Sequence, residues 1–65
     1  MKLWITRDKR GEIRLFQNKP VLINNSFFSL SDGFGMKIKE TNNNRTFLKH
    51  IVFENSPKQI KMELL

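Results

Sequence analysis

The sequence predicts an all-β or β-dominated fold: a small antiparallel sheet, or a partly open barrel, of about five short strands with room for one helical turn. Three observations carry that expectation. Apolar and polar residues alternate with a period of two near both ends of the chain. Clusters of Gly, Pro, Asn, Asp and Ser interrupt the alternating runs. A chain of 65 residues makes a single domain, 1–65, whose core buries only about 60% of the surface exposed on unfolding, so its stability is thin.

The N-terminal third is the most legible. Leu3 and Ile5 alternate with Lys2, Trp4 and Thr6, and Ile13 and Leu15 alternate with Glu12, Arg14 and Phe16. Between them, Asp8-Lys9-Arg10-Gly11 places Asp at the first and Gly at the fourth position of a type I turn followed by a left-handed glycine bulge. That connection sets Ile5 across from Leu15, Thr6 from Arg14 and Trp4 from Phe16. The two faces then differ. Leu3, Ile5, Ile13 and Leu15 form an aliphatic core face, while Trp4 and Phe16 form a cross-strand aromatic pair beside the Arg14 guanidinium.

Lys19-Pro20 ends the second strand, because proline donates no ladder hydrogen bond. Residues 21–23 resume as a short strand, Asn24-Asn25-Ser26 turn, and Phe27, Phe28 and Leu30 supply core bulk before a turn at Ser31-Asp32-Gly33. Phe34, Met36 and Ile38 alternate with Gly35, Lys37 and Lys39, which makes 34–40 a strand with a solvated lysine face. Residues 41–45 form a polar loop. Residues 46–54 fit two templates, since Phe47, Leu48, Ile51 and Val52 would stripe a helix while Phe47, Ile51 and Phe53 would share a strand face; a helical turn running into a strand is expected. Ser56-Pro57-Lys58-Gln59 carries the capping pattern of a helix start. Against it, Ile60, Met62 and Leu64 alternate strictly with Lys61 and Glu63, which favours a final strand.

The chemistry is sparse. Cysteine is absent, which excludes disulfides, thiolate zinc sites and cysteine nucleophiles and suits a reducing cytoplasm. His50 is the only imidazole and has no triad-like company or metal-ligand spacing. The acidic residues form no close pair for general acid–base work, and Gly33-Phe34-Gly35 is too short to cradle phosphate. No catalytic residue, cofactor or metal is expected, and the protein is expected not to be an enzyme. No apolar run approaches the ~20 residues of a membrane span, so a soluble, cytoplasmic protein without a membrane partner is expected. The net charge is +6, of which residues 1–20 hold +4, with six Lys/Arg against Asp8 and Glu12. Such a bias suits nucleic acid or an acidic protein, and it also simply maintains solubility.

The opening MKLWITRDKRGEIRLFQNKP and the closing VFENSPKQIKMEL together resemble a group of short uncharacterised bacterial and phage-borne proteins. Members begin with an MKL-aromatic-I-x-R hairpin, follow it with Lys-Pro, and finish with a FENSP-like turn before an alternating strand. The resemblance covers about half of the chain, in hairpin and turn signals rather than catalytic ones. It implies a compact β-fold encoded by a phage or other mobile element, with no assigned reaction or cofactor. Residues 21–50 depart from the group.

Trp4, Arg14, Phe16, Lys9 and Arg10 are the candidate partner-binding residues, because aromatics and Arg dominate binding hot spots. Two readings of the aromatic pair stay open. It faces a partner, or Phe27, Phe28 or Phe47 covers it as a second small core. The expected function is stoichiometric, non-enzymatic binding of a protein partner, with inhibition of a host defence system such as CRISPR as the version the resemblance implies. The alternative is a basic nucleic-acid-binding domain that stacks exposed bases on Trp4 and Phe16. Free sheet edges would also allow a homo-oligomer.

Overall fold

The computed structural model describes residues 2–61. In chain order it contains strands β1 (Lys2–Arg7), β2 (Ile13–Phe16), β3 (Val21–Ile23), β4 (Ser26–Phe28) and β5 (Met36–Ile38), a single helical turn α1 (Arg45–Leu48), a 3-10 turn (Phe53–Asn55) and strand β6 (Lys58–Lys61). Four strands make an antiparallel sheet in the order β5-β2-β1-β6, and β3 and β4 make a separate hairpin. The fold is β-dominated, as the alternation implies. Both sheets are open, so the barrel alternative does not form.

The first hairpin has the register its turn dictates, with Trp4 opposite Phe16, Ile5 opposite Leu15 and Thr6 opposite Arg14. Gly11 takes the bulge at φ +91°. The buried Asp8 carboxylate accepts the Arg10 and Glu12 backbone N–H groups at 2.9 and 3.0 Å, which locks the turn. Parity then sorts the sheet. Ile5, Ile13, Leu15, Ile38 and Ile60 share one face, and Leu48 and Ile51 close over it as the core. The final alternating run forms β6 beside β1, with Leu3 opposite Ile60; Met62 and Leu64 lie outside the described residues.

Local side-chain bonds shape the stretch between β5 and β6. Thr41 N–H donates to Asn44 Oδ1 at 2.7 Å, and Asn44 N–H donates back to Thr41 Oγ1 at 3.3 Å, so the polar loop ends in the turn that starts α1. The strand expected to follow does not form. Val52 N–H donates to Asn55 Oδ1 at 3.1 Å and Asn55 Nδ2 donates to the His50 carbonyl at 2.8 Å, so the backbone closes on itself as a 3-10 turn instead of joining a ladder.

Two further expectations are corrected. Leu30 supplies no core bulk and is 97% exposed. Ser29 and Gly33 bond each other backbone to backbone at 2.7 and 2.8 Å, which leaves residue 30 at the tip of a tight turn. The strand expected over 34–40 shortens to β5, because Gly33 and Gly35 adopt φ values of +62° and +74° and bend the chain ahead of it. Only glycine fits at position 35. A Cβ there would lie 2.7 Å from the Leu15 carbonyl oxygen and 2.9 Å from the Phe16 ring.

Candidate protein-interaction surfaces

The basic end of the β1–β2 hairpin gathers on one carboxylate. Glu12 receives Arg14 at 2.9 Å, Arg10 at 3.4 Å and Lys37 of β5 at 3.7 Å. The Arg14 hydrogen bond, aided by the charges of Arg10 and Lys37 and opposed by partial desolvation, holds the Glu12 carboxyl below the usual glutamate range. Arg10 and Lys37 keep 70% and 65% of their side chains exposed and Arg14 only 24%. Arg14 also donates to the Phe34 carbonyl at 3.3 Å, which ties the sheet to the 33–35 bend. This is a solvated cationic cluster with a carboxylate already at its centre, so an incoming anion would compete with Glu12 for the same groups.

The aromatic face expected beside it is not a platform. Phe16 is 1% exposed, because the glycine at position 35 brings the bend directly against its ring. It therefore cannot meet a partner, and the ring is covered, with the 33–35 bend against it. Trp4 is half-buried, and the Lys19 ammonium sits 5.5 Å from its ring centroid. Lys9 is exposed but leans over Phe53 at 5.4 Å. Of the five expected site residues the structure brings Arg10 and Arg14 together on Glu12, sends Lys9 to Phe53, leaves Trp4 under Lys19 and buries Phe16. His50 is exposed. No cluster of three or more His, Cys, Asp or Glu able to hold a metal occurs among the described residues, and none of their helices is long and apolar enough to cross a membrane.

The surface that sequence reasoning missed is the β3–β4 hairpin. Asn24 and Asn25 adopt φ values of 49° and 70°, which makes the connection a two-residue type I′ turn matched to strand twist. Pairing Val21 with Phe28 and Ile23 with Ser26 puts Val21, Ile23 and Phe28 on one face, and Leu22 and Phe27 on the other. Phe27 is 3% exposed and packs 6.1 Å from Phe53, which fastens the hairpin to the body. Asp32 fastens the following turn by accepting the Gln17 and Asn18 N–H groups at 3.1 and 2.8 Å. The opposite face stays open. Phe28 meets Phe34 edge to face at 5.4 Å. A groove of about 350 Å³ lined by Lys19, Val21, Ile23, Phe28 and Leu30 lies beside it, and another of about 410 Å³ is lined by Ile23, Phe28 and Phe34.

Among the described residues, six of the eight exposed large hydrophobic residues lie between Val21 and Met36. Four of them, Val21, Ile23, Leu30 and Phe34, line the two grooves around Phe28, and clustered exposed apolar surface of this kind is a feature of interaction sites. One sequence signal could have found it: residues 20–36 contain a single charge, Asp32, in a chain with 18 charged residues. Compared with known proteins, the chain matches no family model, no curated protein and no solved structure.

Proposed function

We propose that this chain is a non-enzymatic binding protein that acts stoichiometrically on a protein partner, receiving apolar side chains of that partner in the two grooves flanking Phe28. The observation that carries the reading is the open apolar face of the β3–β4 hairpin, where Val21, Ile23, Leu30 and Phe34 expose between 49% and 97% of their surface around Phe28. Anchors seated in such grooves and sheltered from water supply most of the energy of a protein interface. The Arg10–Arg14–Lys37 cluster adds a cationic rim that speeds encounter with an acidic partner more than it tightens the complex. Occlusion of a host defence complex, the narrower role implied by the resemblance, needs only this binding, since a protein that blocks a surface performs no chemistry.

Nucleic-acid binding is the weaker reading. The cationic cluster supports it, but single-strand recognition leans on stacking, and the Phe16 ring is buried while Lys19 lies over Trp4.

The test compares wild-type protein with a Leu30→Ser/Phe34→Ser double variant in affinity capture from nuclease-treated bacterial lysate, followed by isothermal titration with the purified partner. Equimolar binding that survives nuclease and drops at least tenfold in the double variant is the expected result. Binding left intact by the double variant, or a ligand removed by nuclease, would overturn it.

A further inference from the structure

We infer that a second copy of this chain docks on the open edge of β3, strand to strand and antiparallel, so that two hairpins join into one four-stranded ribbon. The strand edges differ in how they are guarded. Natural sheets protect exposed edges with lysines, and β5 carries Lys37 while β6 carries Lys58 and Lys61. β4 is buried or half-buried along its length. β3 is Val21-Leu22-Ile23, with all three residues exposed, no charge and, among the described residues, no strand on its outer side.

Backbone geometry makes this edge self-complementary. In a hairpin closed by a two-residue turn, the residues flanking the turn form a doubly hydrogen-bonded pair, and pairs then alternate. Ile23–Ser26 and Val21–Phe28 are therefore the bonded pairs, and the Leu22 N–H and C=O point to the open side. A two-fold axis at Leu22 lets each Leu22 N–H donate to the Leu22 carbonyl of the other copy. It also sets Val21 of each copy opposite Ile23 of the other, apolar against apolar on the groove face.

Charge selects the same approach. Two chains of net charge +6 repel, yet residues 20–36 carry only Asp32, so the docked segments themselves bring no lysine or arginine against its counterpart. A standard interface buries about 800 Å² per partner, and three β3 residues that are each about half exposed offer less than that, so the dimer is a weak one that forms at high micromolar concentration. The inference does not rest on the partner proposed above: Val21 and Ile23 line the grooves as well as the edge, but the pairing runs through the Leu22 backbone, and Leu22 lines neither groove.

Sedimentation equilibrium of the full chain, with Leu22→Lys and the Leu30→Ser/Phe34→Ser double variant beside it, tests the inference. Wild type should show twice the 7.8 kDa chain mass, increasingly so as salt screens the repulsion. Leu22→Lys should be monomeric, and the double variant should remain a dimer even as it loses partner binding. Because Leu22→Lys could loosen the hairpin, a second pair of variants uses the absence of cysteine: Leu22→Cys should oxidise to a covalent dimer at least tenfold faster than Asn43→Cys. A wild-type monomer at high micromolar concentration, a dimer that survives Leu22→Lys, a dimer lost in the double variant, or equal oxidation of the two cysteine variants would each overturn the β3 pairing.

Discussion

Replacing Arg7 by methionine should destabilise the protein more than any other change at a partly exposed charged position. Arg7 lies on the core face of β1, and its guanidinium reaches three carbonyls rather than a carboxylate. Nε donates to Ile51 O, Nη2 to Leu48 O at 3.0 Å and Nη1 to Gly11 O at 3.3 Å. Leu48 and Ile51 close the core from outside the sheet, so this one side chain ties the C-terminal end of α1 to β1 and to the first hairpin turn. Methionine keeps the apolar stem and removes every donor. Hydrogen bonds to a charged group contribute roughly 1.5–3 kcal/mol each, and a carbonyl left without a donor costs about 1–3 kcal/mol when buried. Two of the three bonds are partly buried and the third is exposed, so the expected loss is about 2–4 kcal/mol. A chain of 65 residues has a total stability of about 3–10 kcal/mol. At about 4–8 °C per kcal/mol, Tm should fall by on the order of 10–25 °C. Thermal unfolding followed by far-UV circular dichroism measures it, and amide exchange should show the 45–52 segment losing protection before β1 and β2. A fall of less than about 4 °C would correspond to under 1 kcal/mol and refute the assignment of Arg7 as the tie.

Two further predictions follow from close approach and from charge. Gly35→Ala puts a methyl group 2.7 Å from Leu15 O and 2.9 Å from the Phe16 ring at a φ of +74°, so it should cost about 2–4 kcal/mol through strain and displacement of Phe16; urea unfolding indistinguishable from wild type would show that the 33–35 bend does not rest on Phe16. Because the folded-state pKa of Glu12 is depressed, its contribution is present above the ordinary glutamate pKa of about 4.3 and lost as pH falls through the lower folded value. Glu12→Gln should therefore melt below wild type at neutral pH and converge with it in acid, and a difference in Tm that stays constant across that range would contradict the Arg14 pairing.

The parts legible from sequence are those governed by neighbours along the chain. The Asp8-to-Gly11 turn and the period of two determined the first hairpin and its register, because turn geometry and pleat leave one solution. The same alternation marked β6, and the polar 41–45 loop and the single helical turn followed from local propensity. Where two templates fitted residues 46–54, the choice belonged to Asn55, whose side chain bonds Val52 and His50 backbone groups that periodicity does not register.

Exposure was decided elsewhere. Trp4 and Phe16 pair as their register requires, but whether that pair meets solvent depended on Gly35 and Lys19, the first 19 residues along the chain from Phe16 and the second 15 from Trp4. Leu30 and Phe34 have the composition of core residues and lie outside it, since the Ser29–Gly33 bridge turns them outward. The candidate site moved accordingly, from the aromatic face of the first hairpin to the outer face of the second. The sequence alone determined which segments pair within a hairpin and which charges they carry, because those follow from local geometry and composition. Only the tertiary structure decided which apolar residues are covered, because burial depends on what long-range packing brings against each face, and a short chain does not have enough core to cover them all.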